Sequence, residues 1–266
     1  MPETKTKKTK EKTTTKPRKT TSPFKAKDEL EAEIKAFVNK FKATVVNQAT
    51  RMSDFFEMSC FNHIVTFYER NDYIVQIENL QSGKYRYKCS TAGLQSNFSY
   101  FGVSKKIGRK NYIFEVQHNL AVQSSHSNDL FTTPDIVVIK KGKVKISTKY
   151  YDSKRRFCYV KNEDFITFCE VKQFNPFPEL LFNFIGVVNE LRKEILTNSE
   201  KEILPKHIAP SLMISGKPNK PAQTIRDNLE ERYCINIIYD IFDSGSATFS
   251  KMRLSELRTT GNKPSR

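Results

Sequence analysis

The spacing of apolar residues predicts two helices near the start of the chain. Between residue 27 and about residue 41, apolar side chains recur three or four positions apart, as a helix with one buried face requires: Leu30, Ile34, Phe37, Val38 and Phe41. The same spacing continues over residues 53–70, where Ser53 or Asp54 can cap the first turn. Both segments are therefore expected to pack one face against a core.

Short apolar runs and period-two alternation predict strands through the middle of the chain, at residues 72–79, 84–90, 111–123, 135–140 and 165–174. A helix that opens with prolines follows to about residue 196, and then a strand at 209–216, a helix at 222–233 and a strand at 234–242. Strands that alternate with helices predict an α/β fold, with a central mixed β-sheet flanked by helices.

The composition divides the chain into four parts. Residues 1–26 carry nine basic and two acidic residues with almost nothing apolar, so they are expected to form a disordered basic arm. The N-terminal helix occupies 27–52, and the main domain spans 53–245 with a basic insert at 142–164. Residues 246–266 are polar and are expected to form a C-terminal tail.

The charge favours a polyanionic partner. The formal net charge is +16, which makes nucleic acid the first candidate and an anionic membrane surface the second. No apolar run approaches the roughly 18 to 20 residues that cross a bilayer, and no secretory signal opens the chain, so we expect a cytoplasmic protein without a membrane partner. The five cysteines lack CxxC spacing, which favours reduced thiols over disulfides or zinc.

Three charged residues occur where two apolar strands should be buried. Asp135 opens the run IVVI, while Glu170 and Lys172 interrupt the run FITFCEVKQF. Residues two apart on a strand point to the same face, roughly 7 Å apart, so Glu170 and Lys172 project together. If the two strands are neighbours, Asp135 joins them, and two carboxylates beside a lysine suit a Mg²⁺ site for phosphodiester hydrolysis.

The spacing acidic-x-Lys is common by itself. It recurs at Glu3/Lys5, Glu33/Lys35 and Asp152/Lys154, in the arm, a surface helix and the basic insert. Only Glu170/Lys172 lies inside an apolar strand, where a buried charge is costly unless it is paired or binds a metal. A purely structural ion pair between Lys172 and either acid is the alternative.

Over about residues 53–242 the chain resembles the PD-(D/E)xK nuclease superfamily. TPDIVVIK matches the strand that carries the family's aspartate, TFCEVKQF matches the acidic-x-Lys strand, and the Phe-rich helix follows as in such cores. The resemblance implies a restriction-endonuclease-like core. It also implies that Asp135 and Glu170 are metal ligands, with the backbone carbonyl of Val171 as a third, and that Lys172 is the catalytic lysine. The cofactor would be Mg²⁺ or Mn²⁺.

Many members of this family add an acidic ligand from the first core helix. Glu57 is the candidate here, with Glu115 on the preceding strand as the alternative, and either could equally be an ordinary solvated carboxylate. Gln173, directly after the lysine, also recurs in several branches as an accessory residue, although on a simple strand it would face away from Lys172.

The insert at 142–164 and the residues just before it combine basic and aromatic side chains. Because the insert joins the two motif strands, we expect it to leave and return close to the site. Its cations could hold backbone phosphates, while a merely soluble hairpin is the alternative. The candidates for nucleic-acid binding are Lys141, Lys143, Lys154, Arg155 and Arg156.

These patterns predict a metal-dependent nuclease, an endonuclease acting on DNA in the first instance, with RNA also open. Restriction or defence in a prokaryote, or processing of a mobile element, would suit such an enzyme, and the chain could form a homodimer. The first alternative is a catalytically inactive nucleic-acid-binding module of the same fold. The second is an interaction protein whose basic surface meets acidic proteins.

Overall fold

A computed structural model of the protein describes residues 27–46, 49, 51–148 and 155–261. The arm at 1–26 and the middle of the basic insert, including Lys154, lie outside these described residues. The helices are α1 (Lys27–Asn39), α2 (Met52–Arg70), α3 (Pro178–Leu196), α4 (Lys220–Arg232) and α5 (Ile241–Thr248), with short 3-10 helices at Gln95–Asn97, Asn162–Asp164 and Leu254–Glu256.

Thirteen strands accompany the helices within the described part of the chain. The first five are β1 (Thr44–Val45), β2 (Ile74–Glu78), β3 (Lys84–Tyr85), β4 (Tyr100–Ile107) and β5 (Lys110–His118). The next five are β6 (Ala121–Gln123), β7 (Phe131–Thr132), β8 (Ile136–Lys140), β9 (Lys145–Ser147) and β10 (Phe157–Val160). The last three are β11 (Phe165–Lys172), β12 (Ser211–Ile214) and β13 (Asn236–Ile238).

A seven-stranded mixed sheet organises the fold, with the strand order β13-β12-β11-β8-β5-β4-β2. Strands β2, β4, β5, β8 and β11 pair antiparallel with their neighbours, whereas β12 and β13 continue from β11 in parallel. The long crossover through α3 makes the parallel pairing of β11 with β12 sterically feasible. The predicted α/β class with a central mixed sheet is confirmed.

Helices cover both faces of this sheet. Ile136 and Val138 of β8 pack into the core beneath α1 and α2, whereas Val137 and Ile139 pack into the core beneath α3 and α4. Strand β8 is therefore buried on both sides, which explains why its apolar run shows no alternation. None of the described helices is both long and apolar enough to span a membrane.

A smaller sheet, with the order β7-β6-β10-β9, forms beside the main one. Strand β10 pairs antiparallel with β9 inside the basic insert, and it also runs parallel to β6. The single strand predicted over 111–123 is wrong. It breaks at Asn119, whose φ of 49° lies in the left-handed region that asparagine tolerates, and the chain crosses there from the large sheet to the small one.

Three further segments differ from the sequence-based expectations. Strand β4 was not predicted, although it joins β2 to β5. The predicted strand at 84–90 pairs over two residues only, as β3. The predicted strand at 234–242 ends at Ile238, because Asp240 adopts a φ of 56° and turns the chain into α5.

The two ends of the described chain belong to the same core. Leu30, Ile34 and Val38 of α1 are buried with the residues of α2, and Phe249 and Leu257 are buried with them. Residues 246–261 thus pack against the fold rather than extending as a tail. The start of α2 is stabilised differently from the expected N-cap, because Asp54 lies in the first turn and accepts hydrogen bonds from the backbone and side chain of Arg51.

Candidate active site

The pairing of β8 with β11 brings the predicted site residues together. The two strands are antiparallel, with Cys169 opposite Ile136. Extending this register by one position places Asp135 across from Glu170. Because Glu170 and Lys172 lie two apart at the end of β11, both reach the same edge of the sheet as Asp135.

Lys172 connects the two carboxylates. Its Nζ lies 2.8 Å from Glu170 Oε2 and 3.2 Å from Asp135 Oδ2. The backbone N–H of Val171 donates a 2.7 Å hydrogen bond to the same Asp135 oxygen. Val171 was predicted to act through its carbonyl, but the contact observed here is made by its amide. The side chains of Asp135, Glu170 and Lys172 are 18, 13 and 32 % exposed, so the cluster is partly buried but accessible to solvent.

Burial and mutual repulsion shift the protonation of the two carboxyl groups. Desolvation, together with the charge of Asp135, raises the pKa of Glu170 to about 7. Desolvation also raises the pKa of Asp135, against the opposing effect of Lys172. Burial disfavours the ammonium of Lys172, yet the two carboxylates outweigh burial and raise its pKa above the ordinary value. Lys172 therefore stays protonated at neutral pH, whereas Glu170 is present in both its protonated and its ionised form.

A third carboxylate, Glu57, approaches from the first turns of α2. Its Oε1 accepts a short hydrogen bond from the Asn119 amide and lies 2.8 Å from His118 Nε2. Glu57 is near enough to raise the pKa of Asp135 through its charge. Of the two predicted accessory acids, the structure brings Glu57 to the edge of the cluster.

Glu115, the alternative, lies elsewhere. It is buried on β5 opposite Ile139, four residues along β8 from Asp135 and hence roughly 13 Å away. Its carboxylate accepts hydrogen bonds from the backbone N–H of Gly142 and from the side chain of Gln117, each 2.8 Å long. These contacts satisfy Glu115 without any role at the cluster.

Asp135 and Glu170 supply two of the oxygen ligands that a magnesium ion requires. Mg²⁺ keeps several waters in proteins and is usually bound by one or two carboxylates together with substrate phosphates. Asp135 and Glu170 provide such a pair of oxygen donors. In the part of the chain that the structure describes, no three or more His, Cys, Asp or Glu side chains form a group that could hold a metal ion. A cation bound by Asp135 and Glu170 would therefore take its other ligands from water, substrate or backbone carbonyls.

The structure splits the predicted nucleic-acid-binding residues into two groups. Lys141 pairs with Glu78 at 3.2 Å, and Lys143 lies 3.7 Å from Asp164, both beyond the end of β8 that is farthest from Asp135. The expectation that the insert leaves and returns close to the site is wrong, because antiparallel strands place their connection at the opposite end from Asp135 and Glu170. Lys154 lies outside the described residues.

Arg155 and Arg156 belong to the second group. They immediately precede β10, which runs back along β6 with Tyr159 opposite Ala121. This return brings both arginines to a pocket that also contains Asn119, the residue that bonds to Glu57. The parallel pairing of β10 with β6, which has no signal in the sequence, decides which basic residues lie near the carboxylates.

Asn119 has a role near the site that the sequence did not reveal. The Asn119 backbone N–H donates to the Asp135 carbonyl at 2.9 Å, and the Asn119 side chain joins Glu57 to the backbone of Lys88. The only sequence signal was an asparagine inside an apolar strand pattern. Gln173, predicted as accessory, has a buried Nε2 without a hydrogen-bond partner among the described residues.

The remaining histidines have structural contacts, and none joins the cluster. His126 Nε2 lies 2.9 Å from the Asn189 carbonyl, and the His63 ring stacks on Phe249. His207 is buried against Tyr68, and burial lowers its pKa to about 3. The five cysteines are free thiols.

Comparison of the chain with protein-family models, with curated proteins and with solved structures gave no match.

Proposed function

We propose that the protein is a metal-dependent nuclease of the PD-(D/E)xK type that hydrolyses phosphodiester bonds in DNA. The observation that carries the proposal is the convergence of Asp135, Glu170 and Lys172 from the start of β8 and the end of β11, with each carboxylate within 3.2 Å of the Lys172 ammonium. A structural ion pair needs one acid. Here two partly buried carboxylates share one lysine, and they repel each other. Such a destabilising arrangement is typical of a functional site.

The order of elements also supports a restriction-endonuclease-like core. Helix α2 precedes an antiparallel run of β5, β8 and β11, and α3 then leads to β12, which is parallel to β11. The aspartate opens the middle strand of this run, and the acidic-x-Lys pair ends the next strand. This is the order of strands and of the following helix that the sequence resemblance implies.

Asp135 and Glu170 would hold a divalent cation, with Glu57 as a neighbour acting through solvent. The cation would neutralise charge on the scissile phosphate and lower the pKa of a bound water. Lys172 would orient the attacking water by hydrogen bonding and stabilise the negative charge that develops on the phosphate. Because the carboxylates raise its pKa, Lys172 is suited to this role as a cation and not to the role of general base.

The charge of the protein supports a nucleic-acid substrate. A formal net charge of +16 attracts a polyanion at long range without sequence preference. Nine of the 45 basic residues lie in the segment 1–26, outside the described residues. DNA is proposed ahead of RNA from the family resemblance.

The test is a cleavage assay with plasmid, linear duplex, single-stranded DNA and RNA in Mg²⁺, Mn²⁺ or EDTA. Cleavage by the wild type in Mg²⁺ or Mn²⁺, and its loss by at least a hundredfold in Asp135→Asn and Lys172→Met, would support the proposal. Lys35→Met is the matched control, since Lys35 has the same acidic-x-Lys spacing on the exposed face of helix α1.

Cleavage that persists in both site variants would come from another site or from a contaminating enzyme, and would overturn the assignment. If no metal condition gives nicks or breaks while the protein binds DNA, the catalytically inactive binding module would be the better description.

A further inference from the structure

A basic pocket of about 120 Å³ lies next to the carboxylate cluster. Lys88, Arg155 and Arg156 supply three cations to its wall, and Thr91 and Thr133 supply hydroxyl groups. None of the described residues that line it is acidic. A pocket of this size has room for several waters or for a compact tetrahedral anion.

Lys88 is unusual among the lysines of the described chain, because its side chain is buried. The residue is only 3 % exposed, and its Nζ donates to the Asn119 carbonyl at 2.5 Å. No carboxylate forms an ion pair with it in the described residues, and the charge of Arg155 acts on it unfavourably. Burial lowers the pKa of Lys88 to about 8. A buried cation without a counter-ion is costly, and a bound anion would supply the missing charge.

Asn119 separates this pocket from the carboxylates. It accepts from Lys88 through its backbone carbonyl and donates to Glu57 through its side chain. Its backbone N–H donates to the carbonyl of Asp135. Asn119 therefore contacts Lys88 of the pocket as well as Glu57 and Asp135 of the carboxylate site. An extended polyanion that reaches Asp135 can place a neighbouring anionic group beside Lys88.

We propose that the pocket formed by Lys88, Arg155 and Arg156 binds a phosphate group of the substrate strand, next to the phosphate that is cut at Asp135 and Glu170. The inference rests on the proposed nuclease function for the identity of the strand. Guanidinium groups bind phosphate oxygens in a bidentate manner, and the lysine adds a point charge at the base of the pocket. The phosphate could be terminal or internal, since both present the same oxygens.

The experiment measures binding in EDTA, where cleavage cannot contribute. Fluorescence anisotropy would compare otherwise identical single-stranded 20-mers of DNA that carry either a 5′-phosphate or a 5′-hydroxyl. The variants are Lys88→Gln and the double variant Arg155→Gln/Arg156→Gln. Arg109→Gln is the control, because Arg109 precedes β5 at the end opposite His118, roughly 26 Å or more away along the strand.

We expect each pocket variant to weaken binding at least tenfold, and the control to remain within twofold of the wild type. The dependence of log K on log salt concentration should fall by about 0.7 for each phosphate contact that is lost from a single strand. A loss confined to the 5′-phosphorylated strand would assign the pocket to a terminal phosphate. An equal loss for both strands would assign it to an internal phosphate.

Pocket variants that bind both strands as the wild type does would overturn the inference. Lys88 is buried, so Lys88→Gln could fail to fold, but Arg155 and Arg156 are exposed and their double variant keeps the test valid. The two proposals fail separately. If binding depends on the pocket but no metal supports cleavage, only the proposed nuclease function is refuted. Cleavage with pocket-independent binding would remove only the phosphate site.

Discussion

The ion pair between Lys172 and Glu170 should show a strong energetic coupling in a double-mutant cycle. The cycle consists of the wild type, Lys172→Met, Glu170→Gln and the double variant. The atoms involved lie 2.8 Å apart, and the two side chains are 32 and 13 % exposed. Each single variant removes the pair, and Lys172→Met also leaves two carboxylates without their shared cation.

The expected magnitude follows from distance and burial. At an effective dielectric constant of about 20, two unit charges 2.8 Å apart attract by roughly 6 kcal/mol. Desolvation of both groups offsets most of this attraction, and measured coupling energies between contacting residues are about 0.5–3 kcal/mol. We therefore expect a coupling of about 1–3 kcal/mol at pH 8. Burial raises the pKa of Glu170 to about 7, so the coupling should fall at pH 6, where this carboxyl group is largely protonated.

Urea unfolding in EDTA provides the four free energies of unfolding. Lys40 and Glu69 form the matched control, because they lie 2.7 Å apart but are 56 and 19 % exposed. Exposed pairs of this kind typically couple by about 0.2–1 kcal/mol. A coupling between Lys172 and Glu170 that is no larger than the control, or that does not change between pH 8 and pH 6, would refute the described convergence of charges.

Three other predictions follow from the same region and its core. Asn119→Ala should lower the free energy of unfolding, measured by chemical denaturation, by about 1–3 kcal/mol. The loss in Asn119→Gly should be smaller by about 1 kcal/mol, because glycine adopts the left-handed φ of 49° without strain. Equal losses in the two variants would show that backbone strain at this position is unimportant. Burial lowers the pKa of His207 to about 3, so protonation favours the unfolded state, and stability present above about pH 6.5 should fall toward pH 3 by up to about 1.4 kcal/mol per pH unit. Free energies of unfolding measured between pH 6.5 and 4 should depend less on pH in His207→Gln, because the uptake of up to one proton on unfolding is removed. An unchanged dependence would assign the titration to another group. Mg²⁺ at about 100 times its dissociation constant should raise the free energy of unfolding by about 2.7 kcal/mol, and Asp135→Asn/Glu170→Gln should abolish the effect; an equal effect in that variant would place the ion at another site.

The charged cluster could be predicted because each of its two parts has a recognisable pattern within a short stretch of sequence. An apolar run opened by an acid and a second run interrupted by acidic-x-Lys are both visible in the chain, and the cluster then requires only that these two strands pair. The antiparallel pairing of β8 with β11 then brings Asp135 to Glu170 without further information. The alternating faces of β11 followed from the period of two.

Other features depend on contacts between residues that are distant in the chain. Strand β4 lacks a clear signal because Gly102, Ser104 and two lysines dilute the alternation of Phe101 with Val103. The burial of Lys88 depends on Asn119, which is 31 residues away. The basic insert was placed at the wrong end because the strands were considered adjacent without regard to their direction. Each of these features is fixed by tertiary packing, which local propensity does not encode.

The most direct test of the account is a crystal structure of the wild-type protein soaked in Mn²⁺, with anomalous diffraction recorded to locate the ion. The account predicts an anomalous peak bound by the carboxylates of Asp135 and Glu170, and no such peak in crystals of Asp135→Asn/Glu170→Gln. A wild-type structure in which Mn²⁺ binds elsewhere, while Asp135 and Glu170 remain paired with Lys172 alone, would contradict it.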